Sequence, residues 1–141
     1  MKKLLLLSVM IVTMLTLAAC GNAIDEGPQN SAFHGEDHIT NYSGLAKYDE
    51  MDTMYILYIY AVWCGACAII TQDVLEFIED NEDVPVVFAH EGANGTPPAN
   101  WGAYPTMMVI QNGEVLSEPY VGVPDILALL ESISAGTYNP E

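Results

Sequence analysis

Cys64 and Cys67 stand three positions apart, with Gly65 and Ala66 between them. Two thiols at that spacing can close a reversible disulfide, and either can exchange with a disulfide on another chain. A bridge over so short a loop removes little entropy from the unfolded chain, so a purely structural role explains it poorly and a redox role explains it better. Zinc is the other chemistry open to a C-x-x-C pair. A zinc site normally takes four ligands. Beyond these cysteines the chain offers His34, His38 and His90, and no H-x₃₋₅-H pair stands at the right distance from the cysteines. No metal is expected, and no cofactor beyond the redox-active disulfide.

The third cysteine, Cys20, has a different context. Lys2 and Lys3 precede an apolar run from Leu4 to Leu17, which is too short for a comfortable membrane span and ends in Leu17-Ala18-Ala19-Cys20-Gly21. Leu-Ala-Ala-Cys resembles the lipobox of bacterial lipoproteins. That resemblance implies a diacylglycerol on Cys20, cleavage before it, and a protein anchored on the outer face of a bacterial membrane. Residues 1–19 then form the signal peptide. Residues 20–36 form a lipidated cysteine and a Gly-, Asn- and Ser-rich flexible tether, reaching about 20–25 Å. Residues 37–141 form one domain. Cys20 also leaves the thiol count, so Cys64 and Cys67 remain as a pair.

The chain of 141 residues carries 19 acids, three lysines and no arginine. Cleavage before Cys20 would leave all 19 acids and Lys47 alone, a net charge of −18. Such a surface repels nucleic acid, and it keeps an exported monomer soluble.

The elements that position the cysteines are legible in the pattern. Residues 38–41 suit a short edge strand, and Ser43 suits the N-cap of a short helix through Tyr48 to Met51. Residues 54–62 are continuously apolar and aromatic, as a strand buried on both faces requires. From Cys64 to about Asp80, Cys67, Ile70, Val74, Phe77 and Ile78 line one face of a helix. Residues 84–89 read as the next strand. Residues 92–102 read as a Gly/Pro/Asn-rich connection with a helical turn around Pro98 to Trp101. Strands at 106–110 and 115–117 flank Asn112-Gly113, the preferred pair for a type I′ turn. A last helix opens at Pro124, carries Ile126, Leu129, Leu130 and Ile133 on one face, and stops at Gly136. The order predicts an α/β fold: a central mixed sheet with helices on both faces, closed by a hairpin plus helix.

A strand running into Trp63-Cys64-Gly65-Ala66-Cys67 at a helix start, then Tyr104-Pro105-Thr106 before the Asn112-Gly113-Glu114 hairpin, resembles thioredoxin over about residues 38–135. The resemblance implies a thioredoxin-like fold and a thiol–disulfide oxidoreductase. It makes Cys64 the exposed nucleophile, Cys67 the buried resolving thiol and Pro105 a cis-proline facing them. Trp63 and Tyr104 would contact substrate beside them. Three residues depart from the family pattern. Ala66 replaces the usual proline, and Tyr104 replaces a small aliphatic residue. Tyr58 stands where a buried aspartate usually helps deprotonate the resolving thiol. A phenol is a poor base at neutral pH, which leaves the task to water or to another acid such as Glu91. His90 could approach the site from its strand end but reads better as an exposed loop residue, and Trp101 and Tyr120 as packing residues.

Three functions follow. The first is an oxidoreductase exchanging disulfides with exported proteins, acting as a reductant and recycled by a membrane thiol partner. The second is a disulfide oxidase or isomerase. The third is a non-catalytic accessory of a secretion or bacteriocin system.

Overall fold

The computed structural model describes Phe33 and residues 36–140, so Cys20, His34 and the expected signal peptide lie outside the described residues. The chain runs through β1 (His38–Asn41), a 3₁₀ turn (Tyr42–Leu45), α1 (Ala46–Asp49), β2 (Tyr55–Tyr60) and α2 (Gly65–Asp80). It continues through β3 (Val86–Asn94), β4 (Thr106–Gln111), β5 (Glu114–Val115), β6 (Tyr120–Val121) and α3 (Val123–Ser134). The strands form one mixed sheet in the order β1-β3-β2-β4-β5, with β6 also paired to β4. β1 and β2 run parallel to β3, whereas β4 runs antiparallel to β2.

All six residues of β2 are buried, because both faces of the sheet are covered. Ile56, Tyr58 and Tyr60 point into a core shared with Cys67, Ile70, Val74 and Phe77 of α2 and with Ile126, Leu129 and Leu130 of α3. Tyr55, Leu57 and Ile59 alternate onto the other face, against Tyr42, Leu45 and Tyr48. This is the thioredoxin fold, with helices on both faces. The Asn112-Gly113 turn has positive φ at both positions (51° and 77°), as type I′ requires.

Several expectations need correction. Phe33 was assigned to the tether, yet it is fully buried against Tyr58, Tyr60 and Phe88. The packed domain therefore recruits residues ahead of position 37. Ser43 is not the cap of the first helical turn: Asn41 is, and its Oδ1 accepts the Ser43 N–H at 2.9 Å. β3 begins at Val86 rather than Val84 and continues past Ala89 to Asn94, because β1 resumes pairing at Asn41–Asn94 beyond a register shift. No helix forms around Pro98 to Trp101, where two successive prolines lack N–H donors. The expected second hairpin strand, 115–117, is the two-residue β5, and β6 follows it unforeseen.

Burial raises the pKa of both Tyr55 and Tyr58, favouring the neutral phenol, and for Tyr55 a hydrogen bond to Asp49 Oδ1 at 2.7 Å adds to the effect. An unfolded tyrosine ionises near pH 10. Below that pH both states keep the proton and the contribution to stability is complete. Above it only the unfolded chain releases the proton, so stability falls as pH rises, by up to about 1.4 kcal/mol per pH unit for each such tyrosine. Urea melts should give a midpoint that holds to about pH 9.5 and then declines. Tyr55→Phe combined with Tyr58→Phe should flatten that decline.

Candidate active site

β2 ends at Tyr60, and four residues later the chain enters α2. The first N–H groups of a helix have no intrahelical partner. Cys64 sits there as the N-cap, in an extended conformation (φ −85°, ψ 109°), and its Sγ accepts the Cys67 N–H at 3.1 Å. A sulfur held by a donated N–H at the positive end of a helix dipole is a better thiolate than a free cysteine. Cys67 lies one turn further along and is disulfide-bonded to Cys64, with the two Cα atoms 5.3 Å apart. Both residues are buried, against the expectation of an exposed nucleophile: Cys64 is 6% exposed at the surface end of the motif and Cys67 is 0% exposed. Of the two, Cys64 is the nearer to solvent. Gly65 is exposed, and a Cβ there would meet nothing within 4 Å, so its place in the motif is not set by crowding.

The wall beside the cysteines is aromatic. Trp63, immediately before Cys64, is 70% exposed, and its ring meets the Tyr104 ring edge-on at 5.7 Å. Tyr104 in turn lies 6.5 Å from Trp101, which packs on Tyr42. The Tyr104–Pro105 peptide is cis. Pro105 stands one step beyond the Ile59–Thr106 pair, level with Tyr60 at the end of β2. Trp63, Tyr104 and Pro105 are thus gathered at the sheet end from which Cys64 departs. Gly122 anchors this corner and was missed in the sequence: its N–H donates to the Pro105 carbonyl at 2.9 Å, and its φ of 84° favours glycine. The signal was a glycine just before a Val-Pro helix start.

His90 pairs with Tyr60 at the same end of the sheet. It is not a free loop residue. Its Nδ1 accepts the Gly92 N–H at 3.1 Å, which places the ring proton on Nε2. Nε2 lies 2.7 Å from Glu91 Oε2, off the line of a hydrogen bond. Glu91 therefore faces His90. Beneath the cysteines Tyr58 is fully buried among Phe33, Tyr60 and Phe88, and its hydroxyl has no hydrogen-bond partner. Tyr60 is tied outward, its hydroxyl 3.1 Å from His38 Nε2. Among the described residues no three of His, Cys, Asp and Glu come together as a metal-binding group.

The chain is similar to known proteins in sequence and in fold. A family model described as Thioredoxin matches residues 28–135. Thioredoxin-T of Drosophila melanogaster is 35% identical over 94 residues, which cover 64% of this chain and 59% of that protein. The chain thus spans about three fifths of that relative's length. Oxidised mitochondrial thioredoxin 3 from Saccharomyces cerevisiae superimposes with a TM-score of 0.61 at 19% identity, covering 74% of this chain and 98% of the other. Thioredoxin from Trypanosoma brucei brucei gives 0.62 at 16% identity, covering 71% and 88%. At those identities the structures establish a shared fold.

Proposed function

The chain belongs to the thioredoxin family, and from that premise we propose that it is a thiol–disulfide oxidoreductase of exported proteins, anchored to the outer face of a membrane through Cys20 and working as a reductant. The observation that carries the chemistry is the Cys64–Cys67 disulfide at the start of α2, with Cys64 6% exposed and Cys67 fully enclosed. In the reduced protein the Cys64 thiolate attacks one sulfur of a client disulfide. A Cys64–client bond forms, and the other client sulfur leaves as a thiolate. Cys67 loses its proton and attacks Cys64 Sγ, the client's second sulfur leaves, and the protein is left oxidised. Two electrons have passed from the cysteine pair to the client. The exposed Trp63 and the Tyr104–Pro105 backbone give an extended client segment a surface to lie on. A membrane thiol partner would return the electrons.

Anchoring rests on the Leu17-Ala18-Ala19-Cys20 sequence. Two acyl chains on Cys20 would bury enough methylene surface to hold the protein at the membrane.

The reduction potential of the pair separates the directions. Equilibration of the protein with a glutathione series is expected to place it near −270 mV, as for a reductant, whereas a value near −120 mV would make it an oxidant. Cells fed labelled palmitate should incorporate the label into the wild-type protein and none into Cys20→Ser. Equal labelling of both would remove the anchor from the proposal.

A further inference from the structure

Beside Cys64 the fold assembles an aromatic ledge that reaches past the cis peptide. Trp63 is 70% exposed and meets Tyr104 edge-on at 5.7 Å between centroids. Tyr104 meets Trp101 at 6.5 Å, and Trp101 meets the buried Tyr42 at 6.2 Å. Tyr104 and Trp101 are only half-buried, so Trp101, expected to serve packing alone, also reaches the surface. Charge is absent from the stretches that carry this ledge. Residues 61–72, 92–113 and 119–124 contain no Asp, Glu, Lys or Arg, and acids bound them in sequence at Asp73, Glu91, Glu114, Glu118 and Asp125. The fold brings the three stretches together: Pro105 stands level with Tyr60 at the end of β2, and the Gly122 N–H donates to the Pro105 carbonyl at 2.9 Å. A neutral aromatic surface thus belongs to a domain whose charge is otherwise almost wholly negative. The single lysine of that domain, Lys47, is engaged elsewhere, with Nζ 4.4 Å from the Tyr48 ring centroid and 4.0 Å from Asp37 Oδ2.

We propose that the ledge selects clients bearing a cationic side chain, arginine above all, close to the reacting cysteine. This rests on the oxidoreductase reading and names its substrate class. Three physical effects point the same way. An aromatic face attracts a guanidinium within about 6 Å of the ring centroid, and Trp does so best. Arginine is planar and weakly hydrated, so it stacks on a ring at little desolvation cost. The acids beyond the neutral stretches draw a positive segment in over about a Debye length and repel a negative one. A neutral client side chain gains contact area on the ledge and nothing from that field. No lysine or arginine of the three stretches competes for the rings.

The test uses the full chain in detergent with Cys20→Ser, reduced and mixed with disulfide-joined peptide homodimers. The peptides differ only in carrying Arg, Leu or Glu two residues from their single cysteine. Each second-order rate constant is divided by that for dithiothreitol, which removes the effect of the flanking charge on the disulfide itself. At about 20 mM salt the order should be Arg, Leu, Glu, with at least about tenfold between first and last. At about 0.5 M salt, where the Debye length is about 4 Å, Arg should still exceed Leu by about threefold. That preference should lie in the half-saturating peptide concentration and not in the limiting rate, because the rings touch no reacting atom. Trp101→Leu should bring the high-salt ratio close to one, and Trp101→Phe should retain most of it. Trp63 is exposed, so Trp63→Leu keeps the fold and should lower the same ratio, which decides the matter even where Trp101→Leu does not fold. Arg and Leu peptides reduced equally at high salt, or a ratio that the leucine variants leave unchanged, would overturn the proposal. So would a crosslinked dimer that Trp101→Leu abolishes, since a second copy of the chain would then occupy the ledge. Failure to reduce any of the three peptides would remove the oxidoreductase reading and this proposal with it, whereas equal reduction of all three removes the proposal alone.

Discussion

Cys64→Ser is expected to lower reduction of insulin disulfides by at least about three orders of magnitude, to the rate of the uncatalysed mixture. A serine hydroxyl at the same N-cap position ionises too weakly to attack a disulfide, and the remaining thiol is enclosed. Cys67→Ser should also abolish turnover, but by a different route: the variant still captures a client on Cys64 and cannot release it. Insulin turbidity separates active from inactive proteins, and non-reducing gels separate the two inactive ones. The fold should survive both changes. Hydroxyls cap helices well, and a bridge across so short a loop stabilises by less than the ~3 kcal/mol of a fifteen-residue loop. Retention of full cellular activity by Cys64→Ser would assign the chain to the accessory proteins that bind without exchanging disulfides. That outcome would still leave the fold untouched.

What the residues revealed in advance, and what they hid, follows from the range of the forces involved. The six-residue buried run of β2, the helical phase of Cys67, Ile70, Val74 and Phe77, and the Asn112-Gly113 turn are local patterns with a fixed period or a fixed φ requirement. Each was readable from its own window. The cap of the first helical turn was misplaced by two residues, because Asn41 and Ser43 are both good caps and only the backbone decides between them. The extension of β3 to Asn94 was invisible for another reason: Glu91, Gly92 and Asn94 have little strand preference, and pairing with β1 overrides it. β6 is two residues long, below any periodic signal. At the site, Cys64, Cys67 and the segment around Pro105 were legible as a motif. The commitments of His90 to Gly92 and of Tyr60 to His38 were not, since they depend on which strands end side by side. The substitution at Tyr58 was visible, and its chemical meaning required the structure. A phenol at that position could have been hydrogen-bonded to an acid, as Tyr55 is to Asp49; here it has no hydrogen-bond partner.

Phe33→Ala is expected to destabilise the domain by about 3–5 kcal/mol, the usual cost of emptying a buried phenylalanine site. Phe33 lies in a segment whose composition reads as linker, yet its ring is 4.5 Å from that of Phe88, 5.5 Å from Tyr60 and 5.8 Å from Tyr58, centroid to centroid. It therefore fills the core on the α2 and α3 face of β2 and β3, the face that also encloses Cys67. Two features make the cost large. The surrounding rings stand on strands at the centre of the sheet, so they have little freedom to collapse into the space left behind. The Tyr58 ring also loses its edge-on contact with Phe33, at 5.8 Å between centroids, on a residue whose buried hydroxyl has no hydrogen bond to hold it. Urea denaturation should show a lower midpoint at an unchanged slope, since the surface exposed on unfolding barely alters. Phe33→Leu should recover roughly half the loss by refilling much of the volume. A chain begun at residue 37 should be destabilised at least as much as Phe33→Ala, because it also loses the Glu36 N–H to Phe33 carbonyl turn. If that shortened chain unfolds at the parent's urea midpoint, the ring contributes nothing to the core and the domain begins where composition alone would place it.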